Sequence, residues 1–148
     1  EAFVDRDSEG LGWFRSGDAG FLHDGYLFLH DRIKDMIVSG GENIYPAEIE
    51  NAMMKHPEIA DIAAFGVPDA QWGESVKACV VLKPGSIYRD DLKASSAAII
   101  SWTRDRLAHF KCPRSIDFVE SIPRNPSGKI LKRILREPYW RNEHRQIH

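Results

Sequence analysis

Apolar positions in this chain come in short runs divided by glycine- and proline-rich turns. Phe21-Leu22 and Tyr26-Leu27-Phe28-Leu29 flank His23-Asp24-Gly25, and an Asp-Gly step between two apolar runs predicts a hairpin. Ile33, Met36, Ile37 and Val38 form a short apolar stretch that ends at Ser39-Gly40-Gly41. Pro46 stands where a helix would begin, with Ile49, Ala52 and Met53 at i, i+3 and i+4 and Pro57 beyond the end. Residues 59–67 read as a strand stopped by Pro68-Asp69, and residues 76–82 as a β-branched strand bounded by Pro84-Gly85. From Asp91 to about His109, Leu92, Ser96, Ile99, Thr103 and Leu107 fall on one helical face. Residues 116–119 predict a short strand. In the closing stretch a basic amphipathic helix is expected from Lys129, with Ile130, Leu131, Ile134 and Leu135 on one side and Lys132, Arg133 and Arg136 on the other. Short strands alternating with helices predict an α+β fold, a small sheet packed with helices and preceded by a hairpin that belongs to something else.

Composition narrows the class. The 148 residues are 43% hydrophobic and 28% charged with a formal net charge of −2, which excludes a disordered chain. That length suits one domain, or a domain plus a fragment of another, and lets roughly 70% of the unfolded surface be buried. No apolar run approaches the ~18 residues needed to span a bilayer, so no transmembrane segment is expected. The opening EAFVDRDSEG is acidic, without the apolar stretch of a signal peptide, and begins on a glutamate in a loop-like, turn-rich stretch (Glu9-Gly10, Gly12, Ser16-Gly17-Asp18, Gly20), as a piece of a longer polypeptide would. Cys79 and Cys112 form neither a ligand pair nor a disulfide framework, and this favours a reducing, cytoplasmic setting.

Charge is distributed unevenly. Residues 1–103 carry nine Lys/Arg against seventeen Asp/Glu, a balance of −8, whereas residues 104–148 carry eleven against five, a balance of +6. A basic tail on an acidic body suits contact with an anion, whether phosphate, nucleic acid, membrane or an acidic surface, and reads equally as a solvated basic face.

Three segments can carry chemistry. In GWFRSGDAG a tight turn exposes the Asp18 carboxylate, which can accept hydrogen bonds from two neighbouring hydroxyls such as a ribose presents, or be a plain turn aspartate. In DRIKDMIVSGGENIYPAEIE, Arg32 and Lys34 share one face of an extended segment flanking Ile33. Gly40-Gly41 ahead of the Pro-started helix can bring bare amides against an anion or a narrow ligand arm, or simply turn the chain. In PRNPSGKILKRILR, Lys129 follows a Pro-Ser-Gly turn. The segment is no P-loop, since Pro123 stands where the first glycine belongs and Ile130 replaces the magnesium-holding Ser/Thr. His23 and His30 flank the hairpin and His144 and His148 lie at helical spacing near the end, but no carboxylate or cysteine completes a metal set, so no metal is assigned. Neither a GxSxG elbow nor a catalytic triad is present.

Taken in order, GWFRSGD, RIKDMIVSGGENIYPAEIE and PRNPSGKILK resemble the C-terminal part of the AMP-forming adenylating enzymes, with fatty-acyl and aryl-acid coenzyme A ligases as the nearest relatives and peptide-synthetase adenylation domains more distant kin. The resemblance runs from Gly12 to Arg136. It implies that residues 1–33 are the tail of a large N-terminal adenylation domain and residues 34–148 the mobile C-terminal domain. It further implies that Asp18 holds the ATP ribose with Arg32 beside it, that Lys34 is the hinge, and that Gly40 and Gly41 line the pantetheine passage. Trp72, Phe110 and Arg114 match positions near the coenzyme A nucleotide, and Lys129 matches the mobile lysine that completes the adenylation site. Asp31 stands where many relatives have Gly, Ser16 where many have Thr, and Cys112 where some carry a basic residue.

The reaction implied is ATP-dependent activation of a carboxylic acid, fatty or aryl, to acyl-AMP, followed by transfer to coenzyme A. ATP and Mg²⁺ would be held mainly by the N-terminal domain, and the chain alone is expected to be inactive because the phosphate loop, adenine site and acyl pocket lie upstream. The alternatives are an adenylation domain that loads a carrier-protein phosphopantetheine and, in another class, a basic module binding nucleic acid. The second leaves the first two segments unexplained, so no nucleic-acid partner is expected.

Overall fold

Two long strands, buried on both faces through their central residues, organise the molecule. In the computed structural model, which describes residues 3, 4 and 12–141, β1 (Phe3–Val4) pairs antiparallel with β2 (Trp13–Phe14). A hairpin follows, formed by β3 (Asp18–His23) and β4 (Tyr26–Arg32). Its turn is Asp24-Gly25, with both residues at positive φ (49° and 79°), as the hairpin signal requires. The Glu9-Gly10 turn, His144 and His148 lie outside the described residues.

The main sheet holds β5 (Ile37–Ser39), β6 (Glu42–Ile44), β7 (Ile59–Asp69), β8 (Gly73–Leu82) and β9 (Ser115–Phe118). β7 and β8 form a long antiparallel hairpin, and the far edge of β8 takes β5 at Gly73 and the parallel strand β9 along Lys77–Val80. The sheet is therefore mixed and small, and with three α-helices among the described residues the fold is α+β, as the alternation of elements predicts. Because side chains alternate across a strand, Ile62 and Ala64 of β7 with Val76, Ala78, Val80 and Leu82 of β8 face α1 (Pro46–Met53) and α2 (Leu92–Arg104). Ala63, Phe65 and Cys79 face the other way, toward Ile122, Ile130, Leu135 and Tyr139 around α3 (Lys132–Trp140). One sheet thus separates a helical layer from the arm that carries Lys129.

Several boundaries differ from the sequence reading. β7 runs through Pro68 to Asp69, where Pro68 pairs with Glu74 at the turn end of the hairpin, so the proline does not stop the strand. Gly40-Gly41 do not sit at a helix N-terminus. They turn β5 into the three-residue strand β6, with φ of 59° and 87°. α2 ends at Arg104 and buries Ser95, Ile99 and Thr103; Ser95 replaces Ser96 on the inner face because its hydroxyl donates to the Tyr88 carbonyl at 2.9 Å, Leu92 is exposed, and Leu107 packs from beyond the helix. Residues 33–35 form a 3₁₀ turn, so Arg32 and Lys34 are not on one extended strand.

α3 starts at Lys132, three residues after Lys129. The intervening turn closes on Asn125, whose side chain accepts from the Lys129 N–H and the Ser127 hydroxyl, each at 2.8 Å, and Ile130 bridges to Arg124. The sidedness expected for this helix also changes. Ile134 is exposed, whereas Arg136 is 8% exposed, drawn inward to donate from Nη1 to the Lys34 carbonyl at 3.3 Å.

Candidate functional site

The basic arm and the 3₁₀ turn close a cavity of about 690 Å³. Arg32, Lys34 and Asp35 line one side; Lys129, Lys132, Arg133 and Arg136 of the arm line the other, with Glu137 and Trp140. Residues far apart in sequence are therefore brought to one wall of cations. Lys132 is not available to a ligand, because its ammonium is paired with Glu50 at 2.8 Å. The Lys129 ammonium has no hydrogen bond or ion pair with any described residue and stands at the cavity rim. Its backbone, by contrast, is fixed: Gly128 at φ 81° donates to the Asn125 carbonyl, and Arg124 spans the turn from the Gly128 carbonyl to the Asp61 carboxylate. A rigid turn presenting a free, flexible point charge suits delivery of that charge to an anion.

Asp18 pairs in register with Arg32 across the hairpin, and its carboxylate lies 3.8 Å from the guanidinium Nε. Both groups are partly open to solvent, so they can take hydroxyl or phosphate partners from outside the chain.

A second group forms where β5 meets the β7–β8 turn. Gly40 donates its N–H to the Trp72 carbonyl at 2.9 Å, and a Cβ built on Gly40 would lie 2.7 Å from the Trp72 ring. The Arg114 guanidinium stands 5.4 Å from the centre of that ring and 3.6 Å from Asp69. Gly40, Trp72 and Arg114 are thus contiguous, with Gly41 beside them in the turn. Phe110 is exposed in the 3₁₀ turn His109–Lys111, next to the Lys111–Glu48 pair, and makes no ring contact with Trp72 or Arg114. Cys112 turns inward, its thiol donating to the carbonyls of Leu107 and Ala108; burial raises its pKa. Sequence reasoning missed Asp69. Its carboxylate accepts from the N–H groups of Gln71 and Trp72 and so shapes the turn that carries the tryptophan, and the Trp72 N–H foremost holds the acid below its ordinary range. Pro-Asp ahead of a loop was the signal available.

Behind the arm, Lys77 is buried against Asp117 at 2.7 Å and Tyr139 donates its hydroxyl to the same carboxylate. Burial, followed by that bond, pushes the Tyr139 phenol far up, and burial pushes the Cys79 thiol to about 11. These groups hold α3 to the sheet, with Lys77 and Cys79 buried and Asp117 still partly open to solvent. Cys79 and Cys112 are both free and buried. Among the described residues, no group of three or more His, Cys, Asp or Glu is placed to hold a metal ion, and no helix is long and apolar enough to cross a membrane.

Residues 48–129 match the family described as the AMP-binding enzyme C-terminal domain. The chain is 48% identical over 135 residues to the long-chain-fatty-acid–CoA ligase FadD13 of Mycobacterium tuberculosis, an alignment covering 90% of this chain and 25% of that protein. It is 45% identical over 146 residues to the fatty acid–[acyl-carrier-protein] ligase ScoC of Streptomyces coeruleorubidus, covering 97% and 27%. In structure it matches MatB of Rhodopseudomonas palustris at 34% identity, over 97% of this chain and 26% of that one, with a TM-score of 0.79 for the ATP-bound form and 0.68 for the apo form. The chain thus spans about a quarter of the length of these relatives.

Proposed function

The chain belongs to the AMP-binding enzyme C-terminal domain family, and on that premise we propose that it is the C-terminal portion of an ATP-dependent acyl-CoA synthetase acting on a fatty or aryl acid. Residues 1–33 then end the large adenylation domain, and residues 34–148 form the small domain that turns on Lys34. The observation that carries the reading is the common cavity of Arg32, Lys34 and Lys129, where an unpaired ammonium faces the residue beside the ribose site.

In the first half-reaction a carboxylate oxygen attacks the α-phosphorus of ATP and pyrophosphate leaves. Two anions must approach each other, and the Lys129 ammonium offsets their repulsion and the charge that builds in transit. Asp18 and Arg32 hold the ribose side of the nucleotide. Among the described residues no group of three or more His, Cys, Asp or Glu is placed to hold a magnesium ion. In the second half-reaction the thiol of coenzyme A attacks the acyl carbon, loses its proton to solvent and expels AMP. Rotation about Lys34 withdraws Lys129 and brings up the Gly40 face, where Trp72 and Arg114 offer an aromatic surface and a guanidinium to the nucleotide end of coenzyme A. Gly41 continues that face, and the exposed Phe110 ring is a further candidate contact for coenzyme A. Two buried, unpaired thiols fit a reducing cytoplasm.

The similarity to ScoC, named as a ligase to an acyl carrier protein, supports a second acceptor, the phosphopantetheine of a carrier. The test uses the full-length polypeptide containing this chain. Acid-dependent exchange of pyrophosphate into ATP, followed by thioester formation with coenzyme A, is expected. Exchange with thioester formed only on carrier protein would select the second acceptor, and no acid-dependent exchange with any fatty or aryl acid would refute the ligase reading.

A further inference from the structure

α1 begins without a cap of its own. Tyr45 occupies the N-cap position and makes no side-chain bond there, and Pro46 at the first helical position has no N–H. The first amide that needs a partner is therefore that of Ala47. It donates at 2.8 Å to Oδ2 of Asp31, sixteen residues upstream on β4, while Oδ1 of the same carboxylate accepts the Arg32 N–H at 2.7 Å. A capping carboxylate normally comes from the helix's own N-terminus; here it comes from the hairpin, on the far side of Lys34. Beside it, the ring of His30 on β4 stacks on Tyr45 with centres 5.0 Å apart and planes 16° apart. Arg136 adds a third tie, from the arm to the Lys34 carbonyl.

We infer that Asp31 is a positioning residue, a latch that reaches across the pivot and favours the orientation in which Lys129 shares a cavity with Arg32. The inference rests on the proposed rotation about Lys34. Asp31 and Ala47 lie on opposite sides of that residue in the chain, so turning one part against the other must separate carboxylate from amide. The orientation held by the latch is the one in which the nucleotide-side and arm-side cations converge; the chain as a whole superposes on the ATP-bound form of the structural relative with a TM-score of 0.79, against 0.68 for the apo form. A side chain at this position adds a contact that glycine cannot make, and so biases the balance between the two half-reactions without touching a substrate.

In the full-length protein, Asp31→Ala is expected to slow adenylate formation about three- to tenfold, the population shift that loss of one helix cap brings, and to leave transfer from supplied acyl-adenylate undiminished. Asp31→Asn keeps one oxygen that can accept the Ala47 N–H while giving up the acceptor for the Arg32 N–H, and is expected to restore most of the wild-type ratio of the two rates. Equal losses in both half-reactions, or none in either, would overturn the positioning role. Hydrogen exchange at the Ala47 amide reads the latch apart from catalysis: it should accelerate several-fold in Asp31→Ala and not in Asp31→Asn. Unchanged exchange in Asp31→Ala would overturn the latch even in an active ligase. Accelerated exchange in a protein that forms no adenylate would uphold the cross-pivot bond and refute the ligase reading.

Discussion

His56 sits closed off from water at the end of α1, its ring 4.9 Å from Trp102 edge-on and 5.5 Å from Tyr88, while its Nδ1 accepts the Glu58 N–H at 3.2 Å. An imidazole used as an acceptor must be neutral on that nitrogen. Burial lowers its pKa below 6.5, Arg106 and Lys83 reinforce the effect, and Glu58 opposes it. With the folded value depressed, the contribution to stability is complete above the unfolded histidine's range and is lost as pH falls through the folded value. Melting temperature is therefore expected to drop as pH is lowered from 6.5, and to drop less in His56→Phe, which keeps the ring stack but cannot charge. Parallel curves for the two proteins would show that another group sets the acid limb. Nothing in the sequence around His56 distinguished it, because its partners Tyr88 and Trp102 are distant along the chain. Arg136 was misplaced for the same reason: local periodicity put it on the polar side, and the carbonyl that holds it belongs to a residue 102 positions away.

Among the elements, β7 is an edge strand, and an open edge is a hazard that needs covering. Glu50 of α1 does this, its Oε1 accepting the Ala64 N–H at 2.9 Å and the Lys132 ammonium at 2.8 Å. One carboxylate thus ties the helix on one sheet face to the start of the arm on the other. Glu50→Ala would leave a largely buried lysine without its counter-charge and a strand amide without its partner, and is expected to cost about 3 kcal/mol in urea unfolding. Glu50→Leu with Lys132→Met should recover much of that loss, since it removes both charges together. A loss under about 0.5 kcal/mol for Glu50→Ala, the range of ordinary surface substitutions, would mean that the pair is solvated. The long strands and α1 were legible because their apolar runs and proline or glycine borders are local signals. β6 was not, since three residues after a Gly-Gly turn carry too little pattern to register. The start of α3 was misread by three residues because Ile130 and Leu131 continue its apolar sequence while the Asn125 turn still holds their backbone.

Across the whole molecule, the contrast between an acidic body and a basic tail resolves into geometry. Three of the tail's cations, Lys129, Arg133 and Arg136, face Arg32 and Lys34 across one cavity, while Lys132 is consumed by structure. The hairpin, with β2 ahead of it, exposes Trp13, Leu22, Tyr26, Leu27 and Leu29, a larger apolar face than a free domain usually leaves uncovered, and on the proposed reading the rest of the large domain packs against it. Phe110 apart, the candidate residues named from sequence fall into two clusters, one around Lys129 and one around Gly40, because the arm lies on one sheet face and the glycine turn at the sheet's end. That division was invisible in the linear order of the motifs. On the proposed reading, a small domain that carries both Lys129 and the Gly40 turn can serve two successive reactions at one catalytic centre, and this makes a sharp demand on kinetics. The most direct measurement is single-turnover analysis of Lys129→Ala in the full-length protein, with each half-reaction followed separately. Adenylate formation should fall roughly 10²–10³-fold, as loss of one charge-stabilising group typically gives, with acyl transfer from supplied acyl-adenylate retained. An equal fall in both steps, or none in the first, would contradict the role given to Lys129.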